Sequence, residues 1–149
     1  MIEYFRKLFT YDAWAIEQSL ASLEAPVNQA AQLLLSHVLS AERIWLMRLY
    51  GEDSSGTKVF EDCPLDECVR RLAQIKKEYI AFIDSLSDRD LDTLILYKNT
   101  KGFEFKTSIR DILSHVALHG AYHRGQIALL VRQGNGEARS TDFINYTRL

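Results

Sequence analysis

Two cysteines, Cys63 and Cys68, are the only thiols in the sequence. They stand five positions apart with Pro64 between them, which matches neither a CxxC redox pair nor a four-cysteine zinc site, and they are read as reduced thiols. No apolar run approaches the ~18–20 residues that cross a bilayer, and the opening MIEYFRKLFTYDAW lacks the unbroken apolar core and cleavage site of a signal peptide. Cytoplasmic residence without membrane attachment is the expectation. Basic clusters are missing too: 18 Lys and Arg are spread along the chain against 20 Asp and Glu, for a net charge of −2. Displacing counterions from nucleic acid needs gathered positive charge, so neither DNA nor RNA is an expected partner. There is no HExxH, no Glu-x-x-His, no GxSxG elbow, no phosphate-binding P-loop and no GxGxxG turn, which removes zincins, di-iron bundles and the common hydrolase and nucleotide-binding classes.

What is present fits one domain spanning residues 1–149, with 47% apolar and 26% charged residues and length enough to bury a core without staples. Helical spacing divides it into four long segments. Over about residues 2–23, Phe5, Phe9, Ile16, Leu20 and Leu23 recur at helical intervals, and Pro26 marks the break. Tyr4, Tyr11, Trp14 and Gln18 lie on another side of this helix, with ordinary packing the default reading and a subunit contact or pocket wall the alternatives. A second helix runs from about Val27 to Tyr50 and stops at Gly51, followed by the polar loop GEDSSGTKVFEDC. Pro64 in a first-turn position, with Asp66 and Glu67 near the positive helix terminus, opens a third. Its seam is Leu65, Cys68, Leu72, Ile75, Tyr79, Phe82 and Leu86. TLILYKNTKGFEFKT then sets β-favouring residues on both sides of KNTKG, which predicts a short hairpin. Thr107 or Ser108 caps the fourth helix, with Asp111 three residues after Ser108, and Gly134 ends it, leaving a tail with a short last turn. The expected fold class is all-α, a four-helix bundle with a hairpin between helices 3 and 4.

Three of the four histidines fall on the fourth helix, in HVALHGAYHRGQI, at positions 115, 119 and 123. With His115 set to zero on a helical wheel, the apolar arc of Ile112, Val116, Ile127 and Leu130 centres near about 100°. His119 at about 40° and His123 at about 80° lie within it, while His115 sits at its margin beside Gln126. Arg124, at about 180°, falls away from the ligand face and is read as structural or interfacial. His115 and His123 are about 12 Å apart along the axis, too far to share one ion. Neighbouring i, i+4 pairs can share one, and burial favours His119 with His123. On the second helix the apolar arc Ala30, Leu33, Leu34, Val38, Ala41, Ile44 and Trp45 encloses His37, with Gln32, Ser36, Ser40 and Arg43 opposite. His37, His119 and His123 together can form a three-histidine set with an open coordination position. A histidine on an apolar face is more often a packed core residue than a ligand, and His-x₃-His arises by chance. Three imidazoles facing the core, each carrying a desolvation cost without a partner, bring the two readings level. His115 and Gln126 are then second-layer or pocket residues. Trp45, Tyr11 and Trp14 are either pocket walls or core packing.

SHVLSAERIWLMRLYGE and LSHVALHGAYHRGQIALLVRQG, followed by DFINY and preceded by YDAW, resemble the DinB-like family, part of the DinB/YfiT-like superfamily. The run Tyr122 to Gln126 is the most specific element. The resemblance implies an up-down-down-up four-helix bundle, frequent homodimers, and a divalent metal held at the positions of His37, His119 and His123. It also implies an activity, since relatives include thiol S-transferases that use bacillithiol or mycothiol and a mycothiol-dependent isomerase. The expected function is a zinc- or nickel-dependent enzyme that transfers a low-molecular-weight thiol to an electrophilic small molecule, the metal lowering the thiol pKa. With water in the open position, the same centre is a hydrolase. From other classes, the chain is a non-catalytic metal- or ligand-binding stress protein, or a purely structural helical protein. A homodimer is expected independently from Leu118, Tyr122 and Leu129, a second apolar strip on the fourth helix.

Overall fold

The computed structural model describes residues 1–23 and 28–149. The expected break at Pro26 and the helix start at Val27 lie outside the described residues. The chain is mostly helical, with one small two-stranded antiparallel sheet. In order it forms α1 (Ile2–Ala21), α2 (Gln29–Leu49), α3 (Leu65–Asp84), one 3₁₀ turn (Asp90–Asp92), β1 (Leu94–Lys98), β2 (Glu104–Ser108), α4 (Ile109–Gln133) and a short α5 (Phe143–Tyr146). Each long helix packs chiefly on two others: α1 on α3 and α4, and α2 on α4 and α3. One continuous cluster of buried apolar side chains draws on all four, including Phe9, Leu35, Tyr79 and Ile112. No helix among the described residues is long and apolar enough to cross a membrane.

Local chemistry sets the boundaries. Asn28 caps α2 by accepting from the Ala31 N–H at 3.0 Å, and its amide donates to the Leu130 carbonyl at 3.1 Å, tying the start of α2 to the end of α4. Pro64 occupies the cap position of α3 with Asp66 and Glu67 in the first turn. Ser108 caps α4: its Oγ accepts from the Asp111 N–H at 3.1 Å and donates to the Asp111 carboxylate at 2.7 Å. α4 closes at Gly134, and the left-handed residue beyond it is Asn135 (φ 60°), which lets the Gly136 N–H reach the Val131 carbonyl at 2.8 Å. In the hairpin Leu94 faces Ser108 and Lys98 faces Glu104. The Asn99 side chain accepts from the N–H groups of Lys101 and Phe103 across the turn, and Gly102 takes φ +83°.

The helical wheel fails on one side of α2. Ser36 and Ser40, expected at the surface, are buried, while Ala30 and Leu33 are exposed. The reason is the segment after α2, which folds back along it. Ser36 donates to the Glu61 carbonyl at 2.5 Å and Gln32 to the Cys63 carbonyl at 2.9 Å, so α2 is covered on a face that its own periodicity marks as polar. Cys63 and Cys68 are free, as expected, and both are buried; burial pushes the Cys68 thiol up to about 12.

Two glycines of α4 separate propensity from packing. A Cβ on Gly125 would meet nothing within 4 Å, whereas one on Gly120 would stand 2.8 Å from Arg124 Nη1 and 3.0 Å from Asp12 Oδ1. Gly125→Ala is expected to raise stability by about 0.5–1 kcal/mol. Gly120→Ala, with the same gain in helix propensity, is expected to lower it, because the methyl group pries at a buried ion pair. Urea unfolding of the two variants gives opposite signs; equal stabilisation would refute the packing argument.

Candidate metal centre

α2 and α4 lie side by side, and their facing surfaces bring together His37, His119 and His123. The nitrogen atoms these rings offer lie within 4.8 Å of one another. Ring centroids are 5.2 Å apart for His37 and His119, 4.7 Å for His37 and His123, and 4.5 Å for His119 and His123. The planes meet at 65–86°, so the rings converge edge-on instead of stacking. His37 is buried; the other two are half-buried.

Two rings are held by partners on the side away from the cluster. His37 Nδ1 donates to the Val59 carbonyl at 2.9 Å, and its ring stacks on Phe60 at 4.1 Å and 7°. His123 Nδ1 donates to Gln126 Oε1 at 2.6 Å. With each Nδ1 carrying the hydrogen, Nε2 keeps its lone pair for a metal, the arrangement by which outer partners orient metal-binding histidines. Burial holds the His37 imidazole below its ordinary value. It pulls His119 down to about 4, helped by the charges of His123, His37 and His115. Both rings are thus neutral at pH 7, as ligation requires. Three imidazoles from two helices suit a borderline divalent ion and leave a coordination position for a small molecule.

Gln126→Leu follows from this geometry. It removes the acceptor that orients His123 and touches no ligand atom, so metal affinity is expected to fall about 10–100-fold. Competition titration against a fluorescent zinc chelator measures it; unchanged affinity would show that Gln126 plays no part.

The other residues singled out by the sequence separate. His115 is exposed, with its ring 5.7 Å from His119 and 5.0 Å from Trp45. Half-buried Trp45 also packs on Tyr97 of the hairpin and on the Arg48 guanidinium, at 5.1 and 4.5 Å. Tyr11 and Trp14 are engaged with the C-terminal tail. Tyr11 donates to the Thr141 carbonyl at 2.7 Å, and its ring lies 4.9 Å from Phe143, while Trp14 meets Tyr146 at 5.5 Å. The structure thus brings His115 and Trp45 to the side of the cluster and Gln126 into it, and sets Tyr11 and Trp14 against the tail. Val59 and Phe60 were missed, because a loop without periodicity carries no signal for a backbone carbonyl or a stacking ring.

Arg124 corrects the wheel. Placed there on the polar side, it is 1% exposed, with Nη1 2.5 Å from the Asp12 carboxylate of α1. Its structural reading stands, but its position is inside the protein. Beside the pair lies buried Glu42, whose carboxyl is held well above its ordinary value by burial and by the neighbouring Asp12 charge and hydrogen bond. Tyr79, also buried, donates to the Glu42 backbone carbonyl at 2.8 Å.

Fold and site together define a class: helical proteins in which two packed helices present a three-histidine cluster fit for a metal ion. The chain belongs to the DinB family, which it matches over residues 9–149. It is 25% identical over 162 aligned positions to the protein named Protein DinB of Bacillus subtilis (strain 168), a match that covers 96% of this chain and 93% of that protein. No solved structure matches the chain significantly.

Proposed function

We propose that the protein is a cytoplasmic, metal-dependent enzyme that transfers a low-molecular-weight thiol to an electrophilic small molecule. The carrying observation is the convergence of His37, His119 and His123, with ligand atoms within 4.8 Å of one another. A divalent ion bound there, zinc or nickel, supplies Lewis acidity that makes thiolate available at neutral pH. The chain's own residues do the rest. His37 and His123 are fixed by Val59 and Gln126, and His119, neutral and half-buried, completes the set. The thiol comes from outside in this reading, because burial keeps Cys68 protonated and neither cysteine belongs to the histidine cluster found among the described residues. An up-down-down-up bundle is the helix order in keeping with the neighbours seen for α1 to α4. A homodimer through α4 belongs to the same reading, supported by the exposed strip Leu118, Tyr122 and Leu129. Light scattering at micromolar concentration should give twice the chain mass, and a monomer mass would remove this part.

The test is turnover. Protein loaded with zinc or nickel is assayed with cysteine or glutathione and 1-chloro-2,4-dinitrobenzene, alongside simple esters and amides without thiol. Thiol-dependent product formation, abolished in His119→Ala, is the expected result. Ester or amide hydrolysis without thiol moves the reading to a hydrolase. Stoichiometric metal binding with no turnover on either panel moves it to a metal-binding protein without catalysis.

A further inference from the structure

A cavity of about 810 Å³ lies between the end of α2, the loop after it and the β-hairpin. At its inner wall stands Arg48, 8% exposed. Its guanidinium packs on the rings of Trp45 and Tyr97, 4.5 and 4.9 Å from their centres. Among the described residues it has neither an ion pair nor a hydrogen bond, and its Nε is fully buried without a partner. Aromatic faces attract the charge but accept few of five N–H donors. A guanidinium whose buried Nε–H goes unused carries a desolvation cost, and burial lowers the Arg48 pKa. Its planar fork matches the two oxygens of a carboxylate.

The rest of the lining limits the partner. Glu52, Asp53, Glu104 and Lys98 lie at the cavity's solvent side, all exposed, with Asp53 turned onto Ser55. These exposed charges are screened and leave the field near buried Arg48 to the arginine, while the three carboxylates outweigh Lys98 and oppose a doubly charged anion. The cavity is linked to the histidines through one of its walls. Val59, which lines it, is the residue whose carbonyl holds His37, and Trp45 bridges Arg48 to His115. Arg48 follows His37 by eleven positions on α2, nearly the same face and about 16 Å further along the axis. Its side chain leans back toward the helix N-terminus and shortens that gap.

We propose that this cavity is a carboxylate subsite, in which Arg48 binds the anionic group of a small monocarboxylate whose other end extends toward the histidine cluster. The subsite stands on Arg48 alone, and only the statement that its ligand also reaches the metal rests on the thiol-transfer reading. In a Trp14→Phe background, Trp45 is the sole tryptophan and reports occupancy by its emission. Metal-free protein is titrated with hexanoate, hexanamide and hexyl phosphate. Hexanoate should saturate the change at concentrations at least tenfold below the other two, and Arg48→Met, with its folding checked by circular dichroism, should abolish the preference. Equal response to hexanoate and hexanamide, or a preference that survives Arg48→Met, overturns the subsite. A preference for hexyl phosphate overturns its assignment to monocarboxylates. If Arg48→Met does not fold, the three-ligand comparison on the parent decides alone. Zinc-loaded protein is then titrated with 6-mercaptohexanoate and 6-mercaptohexanol. Tighter binding of the acid than of hexanoate or the alcohol is expected. Should zinc leave both thiols no tighter than hexanoate and hexanamide, thiol binding at the metal fails while the carboxylate subsite stands.

Discussion

His119→Ala protein, purified without a histidine tag and exposed to excess zinc, is expected to hold far less than one metal ion per chain. Each ring of the cluster lies within 5.2 Å, centre to centre, of the other two, and His119 is one of the pair that α4 supplies. Its loss leaves two ligands on different helices, and the fall in affinity should exceed the 10–100-fold expected for losing an outer partner such as Gln126. The same change is visible in stability. Metal at 100 times its Kd stabilises a folded protein by about 2.7 kcal/mol, which for a chain of this size is about 5–11 °C in Tm. Wild type should show that zinc-dependent rise and His119→Ala should not. His37→Ala and His123→Ala should behave alike. His115→Ala, an exposed ring at the edge of the cluster, should keep both its metal and its thermal shift. A normal metal content in His119→Ala by elemental analysis would remove the centre altogether.

The second large effect lies in the interior. Arg124 and Asp12, 1% and 2% exposed, form an ion pair between α4 and α1, with Glu42 of α2 alongside. Arg124→Met keeps the volume and removes the arginine paired with Asp12, leaving a buried carboxylate uncompensated. Breaking such a pair costs about 3–5 kcal/mol, or about 6–20 °C in Tm at this chain length. Asp12→Asn in the same chain removes the stranded charge and should restore more than half of the loss. Additive effects of the two changes in thermal unfolding would show that the pair is not coupled. Glu42 adds a pH signature. Folded Glu42 keeps its proton well above the ordinary carboxyl range, where the unfolded chain has released it. The native state then binds more protons, and this group's contribution falls as pH rises through the window between the two values, by up to about 1.4 kcal/mol per pH unit. Glu42→Gln removes that slope. Its stability relative to wild type should rise from acid toward neutral pH, and a pH-independent difference would mean that Glu42 is ionised in the folded protein.

What the sequence made legible was local. Ser108 with Asp111, Pro64 with Asp66 and Glu67, and the Asn99–Gly102 turn are set by neighbours within a few positions, and each appears in the structure where spacing places it. The rotation that separates His119 and His123 from His115 is equally local. Arg124 was misplaced because a wheel drawn for one helix assumes one buried side, and α4 packs against both α1 and α2. The polar face of α2 failed for a related reason. Ser36 and Gln32 are satisfied by carbonyls of a chain segment more than twenty residues away, an arrangement that no period in α2 encodes. Val59 and Phe60 complete the surroundings of His37 through the same segment.

The histidine cluster has a mechanical consequence as well. Its members belong to two helices whose contributions lie about 80 residues apart in sequence, a long loop by the standards of chain closure. A metal ion held by all three would tie α2 to α4, as a covalent bridge does, in a chain whose two cysteines are unpaired. Unlike a disulfide, this tie answers to metal supply and to chelators instead of to redox poise. With metal bound there, the stiffness of the α2–α4 seam would become a quantity that the surrounding solution can set.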